Sequence, residues 1–340
     1  MERNKQQTKE EAWLPEILPE ISRTFAFTIP HLPRIVAKDL AVSYAICRVI
    51  DTVEDSILTT EIKRQTLDVS LLSLQQPNDT ILRKDCQFLL KSVPTSKNYQ
   101  RLLDEAPMLI DVFHELPSRI RQIITTISSE MVNGLSDEYV QRINTIEDQN
   151  RYCHYAAGLV GHLITLVFNY RGYIQKDNIE KMLDLGHDFG VALQKVNILK
   201  DVEEDVAEKR LYWPRDTVES SGLNYKRLSP ILEKDREKFS NLVSKLIEDV
   251  KPYFARGFDY IDGLPHAPEG LRIFCGDNLI FAIATCRILE SNDFLYDGTN
   301  KISREEVQGI HYRVKEIVRK RGDLRDLGRH VENQSFAEYR

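Results

Sequence analysis

Three hundred and forty residues suit one large domain or two ordinary ones, and 42% hydrophobic with 29% charged content is the balance of a folded globular chain. Forty-six lysines and arginines against 52 aspartates and glutamates leave a net charge of −6, which excludes the basic footprint of a nucleic-acid partner. Five cysteines (Cys47, Cys86, Cys153, Cys275 and Cys286) form no Cys-x-x-Cys pair, and their odd number fits free thiols in a reducing compartment.

Residues 1–12 are polar, lack the apolar run of a secretory signal, and are expected to be a flexible N-terminus. Beyond them the apolar residues recur at i, i+3, i+4 and i+7, which predicts helices over Asp39–Val53, Arg119–Val132, Arg151–Phe168, Lys181–Val206, Arg236–Ile261 and Gly270–Leu289. Turn-forming clusters separate them, among them Gln75–Asp79, Val93–Ser96, Trp213-Pro214 and Asp262–Pro265. Thr145-Ile-Glu-Asp148 and Ser303-Arg-Glu-Glu306 read as capping boxes at two helix starts. The most apolar stretches, Gly158–Phe168 and Leu279–Leu289, fall short of the ~20 residues that span a bilayer. The expectation is one all-α domain over residues 13–340, with no transmembrane segment, in the cytoplasm.

Tyr44, Arg48, Asp51 and Asp55 are spaced 4, 3 and 4 apart, so on a helix they form one thin polar stripe. Ala41, Val42, Ala45, Ile46, Val49, Ile50 and Val53 fill the rest of the circumference. Such a helix fits the wall of a polar-mouthed cavity better than a solvated surface, although an ordinary stripe with an Arg48–Asp51 or Arg48–Asp55 pair reads almost as well. A second stripe, Gln194, Asn197, Asp201, Asp205 and Glu208, recurs at spacings 3, 4, 4 and 3, and no lysine or arginine lies on it. Partly buried carboxylates without a counter-charge are costly, so a cation is the expected partner. Oxygen-only donors on two helices point to a hard ion, Mg²⁺, shared with a diphosphate. Without GxxxxGK[ST], a P-loop nucleotide site is not expected.

With these residues in view, the chain resembles the squalene/phytoene synthase family from about Leu14 to Val314. Ser22-Arg23-Thr24-Phe25 is similar to the family's S-R-[ST]-F segment, and Cys47–Asp55 to its first aspartate-rich box. Tyr152–Gly161 (YCHYAAGLVG) is similar to the family's Y-C-x-x-V-A-G-x-V-G block, and Gln194–Asp205 to its second box. The resemblance implies an isoprenoid synthase-type helical bundle around a central cavity. It implies condensation of two farnesyl diphosphates to presqualene diphosphate, then reduction by NADPH to squalene.

On that resemblance Asp51, Glu54, Asp55, Asn197, Asp201 and Asp205 hold Mg²⁺. Tyr152 corresponds to the family's catalytic tyrosine, and Tyr44 faces the same cavity. Arg23, Arg48, Lys200 and Lys301 resemble positions that contact diphosphate or the nicotinamide cofactor. Lys200 departs from the arginine usual before the second box, keeping the charge but not the bidentate fork. Ser303 replaces an extra basic residue found after Lys301 in higher organisms, and reads equally as a helix cap. Lys209, Arg210 and Arg215 flank Tyr212-Trp213-Pro214, as a diphosphate clamp or a plain basic rim. His154 and His162 lie eight apart with no third histidine at ligand spacing, which argues against zinc. His154 and the Tyr-Trp-Pro loop favour the reductive branch over a relative that stops at presqualene diphosphate, dehydrosqualene or phytoene. A non-catalytic helical scaffold is the reading from another class, and the intact boxes argue against it. The lipophilic substrate and product imply peripheral contact with a membrane surface.

Overall fold

The computed structural model describes residues 9–76, 78–136, 142–208, 210–225, 228, 233–291 and 300–334, and among them there is no β-strand. The chain separates into two compact units, Met1–Ser136 with Leu166–Gly172, and Asp137–Thr165 with Tyr173–Arg340. No helix among the described residues is long and apolar enough to cross a membrane.

The first unit holds α1 (Lys9–Ile21), α2 (Arg23–Thr28), α3 (Arg34–Glu54), α4 (Thr60–Gln75), α5 (Thr80–Lys91), α6 (Lys97–Asp104), α7 (Ala106–His114) and α8 (Ser118–Leu135). Its core helix is α3, which packs against α1, α4, α6, α7 and α8. That burial follows from the apolar circumference read in the sequence, since Val42, Ala45 and Val53 are fully enclosed. Ser22 caps α2 by accepting from the Phe25 amide at 3.1 Å. Near the start of α3, buried Asp39 accepts a two-pronged pair from Arg171, at 2.7 Å from Nε and 2.9 Å from Nη2. Burial raises the Asp39 pKa, and Arg171 offsets part of that rise.

The second unit continues with α9 (Ile146–Cys153), a π-helical turn (His154–Gly158), α10 (Leu159–Tyr170, of which Leu159–Thr165 lie in this unit) and α11 (Ile179–Lys200). Then come α12 (Val202–Ala207), α13 (Arg215–Ser220), α14 (Arg236–Gly263), α15 (Glu269–Glu290), α16 (Arg304–Arg319) and α17 (Leu324–Asn333). Here α11 is the core helix, packed on α14, α15 and the π turn. Thr145 and Asp148 form the complete capping box expected at α9. At α16 Ser303 accepts from the Glu306 amide at 3.1 Å, while the Glu306 carboxylate turns to Arg287, 2.8 Å away.

Two helices predicted as continuous are interrupted. Arg151–Phe168 carries the π turn, and Lys181–Val206 breaks at Asp201, where φ −95° and ψ 12° leave the helical region. Aspartate is a poor interior helix residue, because its short carboxylate competes for local backbone donors. The break is one residue deep, since Asp201 still donates to Asn197 and Asp205 to Asp201, each at 2.9 Å. Asn197, Asp201 and Asp205 therefore stay in register across it.

Candidate functional site

In the first unit the stripe of α3 ends in Asp51, Glu54 and Asp55, three carboxylates within one turn and a half. Glu54 is buried and the other two are partly so. Burial first, then repulsion from Asp55, pushes Asp51 up to about 7 against the pull of Arg48. Burial and both aspartates push Glu54 up to about 8, with Lys63 opposing. The Lys63 ammonium itself donates to the Glu54 backbone carbonyl. Three carboxylates are thus crowded here, with Arg48 3.8 Å from Asp51. A divalent ion suits that cluster, and the donor set is the oxygen-only kind Mg²⁺ takes.

One turn up, Arg48 donates to the Tyr44 hydroxyl at 2.8 and 3.2 Å, and that hydroxyl donates to the Ile21 carbonyl at 3.1 Å. The guanidinium also lies over two rings, Tyr44 at 5.5 Å and Tyr99 at 5.3 Å. Phe25 packs on Tyr44 with centroids 4.6 Å apart, which sets the Ser22–Phe25 segment against the stripe. Arg23, next to it, is exposed at the first position of α2. Tyr99 belongs to no motif and comes from α6, so nothing in the sequence announces it.

In the second unit the Lys200 ammonium bridges Asn197 Oδ1 at 3.2 Å and Asp201 Oδ2 at 3.3 Å. Burial raises Asp201, while Lys200 and, more weakly, Lys301 draw it back. Arg210, after α12, pairs with Glu208 and lies 4.0 Å from Asp205. The stripe read as lacking a counter-charge therefore has basic neighbours. Lys200 reaches back from the helix end, and the turn that follows carries Arg210, neither of which lies on the stripe itself. The Lys200 ammonium lies between Asn197 and Asp201 here, and their oxygens are of the kind a hard divalent ion takes. Arg215 pairs with Glu219 at 2.8 Å and lies over the Tyr225 ring at 5.8 Å. Lys209 lies outside the described residues.

Tyr152 is buried near the end of α9 and stacks on Tyr212, with centroids 4.4 Å apart and 24° between planes. Gln149, one turn earlier, donates to the Tyr212 carbonyl at 2.9 Å. Gln149 Oε1 accepts from Lys195 at 3.1 Å, and Lys195, 2% exposed, is neutralised by Asp249 at 2.5 Å. Trp213 Nε1 donates to the Ile198 carbonyl at 3.0 Å, tying the same loop to α11. Sequence reading passed over Lys195 and Gln149. The available signal was a lone lysine among Val191, Ala192 and Val196 on a buried face.

The chain matches the squalene/phytoene synthase family over residues 18–306. It is 28% identical over 305 residues to squalene synthase LSS of Botryococcus braunii, covering 88% of this chain and 63% of that protein. It is 28% identical over 299 residues to the squalene synthase of Dictyostelium discoideum, covering 86% and 67%. The chain thus spans about two thirds of the length of these curated relatives. Its fold is similar to that of TcSQS in complex with the ligand BPH1237, with TM-score 0.76 and 22% identity over 96% of this chain and 97% of that one. A dehydrosqualene synthase in complex with a ligand follows at TM-score 0.63 and 18% identity, over 92% and 97%. Motifs, helical fold and a match across most of the length agree: the chain belongs to the squalene/phytoene synthase family.

Proposed function

We propose that the protein is a squalene synthase, joining two farnesyl diphosphates head to head and reducing presqualene diphosphate to squalene, with residues 13–340 acting as one prenyl-condensing domain around a central cavity. The observation that carries this reading is the crowded carboxylate set Asp51, Glu54 and Asp55 beside the Arg48–Tyr44 pair, matched by the second set Asn197, Asp201 and Asp205. Both sets suit Mg²⁺, which when bound would neutralise the departing pyrophosphate. Arg48, held by two aromatic faces and the Tyr44 hydroxyl, is pre-organised to meet a diphosphate oxygen. Arg23, Lys200 and Lys301 add cationic contacts for diphosphate or for the phosphates of NADPH, which would supply the hydride of the second step. To Tyr152, stacked on Tyr212, we assign the proton lost as the cyclopropane closes, a role for which a phenolic hydroxyl is suited.

Free, buried thiols at all five cysteines are in keeping with a reducing cytoplasmic setting, and a lipophilic substrate and product with transient contact at a membrane surface. The test is product analysis with farnesyl diphosphate and Mg²⁺, with and without NADPH. Squalene with about one NADPH consumed per molecule is expected. Omission of NADPH should divert flux to presqualene diphosphate or non-reduced products. Identical products in both reactions would place the enzyme with the non-reducing synthases, and no pyrophosphate release would make it a scaffold. Lys301→Ala should raise the KM for NADPH and spare the first half-reaction.

A further inference from the structure

Arg48 is held in place partly by a residue that belongs to no motif. Its Nε and Nη2 donate to the Tyr44 hydroxyl at 3.2 and 2.8 Å. Its Nη1 stands 3.8 Å from Asp51 Oδ2, beyond hydrogen-bond reach, and among the described residues no other oxygen accepts from it. Two ring faces hold the rest of the group. The guanidinium carbon lies 5.5 Å from the Tyr44 centroid and 5.3 Å from that of Tyr99 on α6. A guanidinium takes an aromatic ring on its flat side and hydrogen bonds along its edge. A ring therefore fixes Arg48 without using an N–H or neutralising its charge, as a carboxylate partner would.

The place of Tyr99 is itself set by packing. α6 lies against α1 and α5, with Leu102 and Leu103 fully buried. Arg101, two residues beyond Tyr99, pairs with Glu20 of α1 and lies 3.5 Å from Glu16 on the same helix. Trp13, also on α1, donates its indole N–H to Glu105 at the end of α6. The last residue of α1, Ile21, supplies the carbonyl that accepts from the Tyr44 hydroxyl at 3.1 Å. One helix thus anchors both rings that face Arg48.

We propose that Tyr99 is a positioning residue for diphosphate: its ring holds the Arg48 guanidinium so that Nη1 is kept for a diphosphate oxygen. The inference rests on the diphosphate reading of Arg48 and goes beyond it, because it gives the α6 tyrosine a part in substrate binding. Orienting a charged donor before the substrate arrives removes that ordering cost from the binding step. The ring also keeps Arg48 from its nearest competitor. A guanidinium released from Tyr99 can turn about its outer torsions and close the 3.8 Å gap to Asp51. That pairing would occupy Nη1 and tie up a carboxylate of the first box, so loss of the ring weakens the diphosphate contact.

The test is calorimetric titration of the full chain with inorganic pyrophosphate at saturating Mg²⁺. Tyr99→Leu should weaken binding by about threefold to thirtyfold, the worth of one cation–ring contact, and Tyr99→Phe, which keeps the ring, should stay within about twofold of the unmodified protein. In an Arg48→Met background Tyr99→Leu should have no further effect, because the ring acts only through the guanidinium. Circular dichroism establishes that each variant is folded, and Tyr99→Met replaces Tyr99→Leu if that one is not. Unchanged affinity in folded Tyr99→Leu, or an equal loss in the Arg48→Met background, would overturn the proposal and leave the diphosphate reading of Arg48 standing. Pyrophosphate binding that is absent from the unmodified protein, or untouched by Arg48→Met, would overturn both.

Discussion

The rings of Tyr152 and Tyr212 lie 24° from parallel with centroids 4.4 Å apart, and a buried polar chain fixes the second ring against the first. Lys195 donates to Gln149, Gln149 donates to the Tyr212 carbonyl, and Asp249 neutralises the lysine. Lys195→Met or Gln149→Leu should leave the loop carbonyl and its neighbours without partners. The expected result is a loss of about 1–3 kcal/mol in stability. A fall in kcat of at least tenfold at unchanged KM for farnesyl diphosphate should accompany it. A loss of stability with normal kcat would reduce the chain to a structural brace.

Tyr152→Phe keeps the stack and deletes one hydroxyl. Formation of presqualene diphosphate should fall by ~10²–10⁴-fold, the usual worth of a positioned acid or base, with little change in substrate affinity. A defect confined to the reductive step would show that the hydroxyl serves another purpose.

Asp51→Asn and Asp205→Asn should abolish turnover at saturating Mg²⁺ while the chain stays folded. For Asp51 the sign with pH can be stated. Its folded pKa, about 7, lies above the ordinary 3.8, so ionisation weakens the metal-free fold. Asp51→Asn should therefore raise the metal-free Tm above pH 7, and the gain should fade toward pH 4. Turnover near that of the unmodified enzyme would remove Asp51 from the metal set.

Burial pushes the thiols of Cys47 and Cys153 up to about 12, and raises those of Cys86, Cys275 and Cys286 as well. At pH 8 a thiol with a pKa of about 12 is ionised to about one part in ten thousand, and the thiolate is the reactive form. Ellman's reagent should label none of the five rapidly in the native protein and all five after unfolding. A fast-reacting thiol under native conditions would contradict this.

Much of this protein is set by periodicity alone. The α3 stripe from Tyr44 to Asp55, the core helices, and the Thr145 cap need only i, i+3 and i+4 relations, which a sequence carries explicitly. Asn197, Asp201 and Asp205 were legible for the same reason, and even the break at Asp201 preserved their register. What the sequence alone did not decide lies across helix pairs. Tyr99 reaches Arg48 from α6, Lys195 reaches Gln149 from α11, and Arg210 returns to Asp205 through a turn. His187 meets His154 only because glycines on both helices remove the Cβ atoms that would keep the backbones apart. Such contacts depend on the distance and rotation between elements distant in sequence. Packing sets those quantities, and no local pattern encodes them.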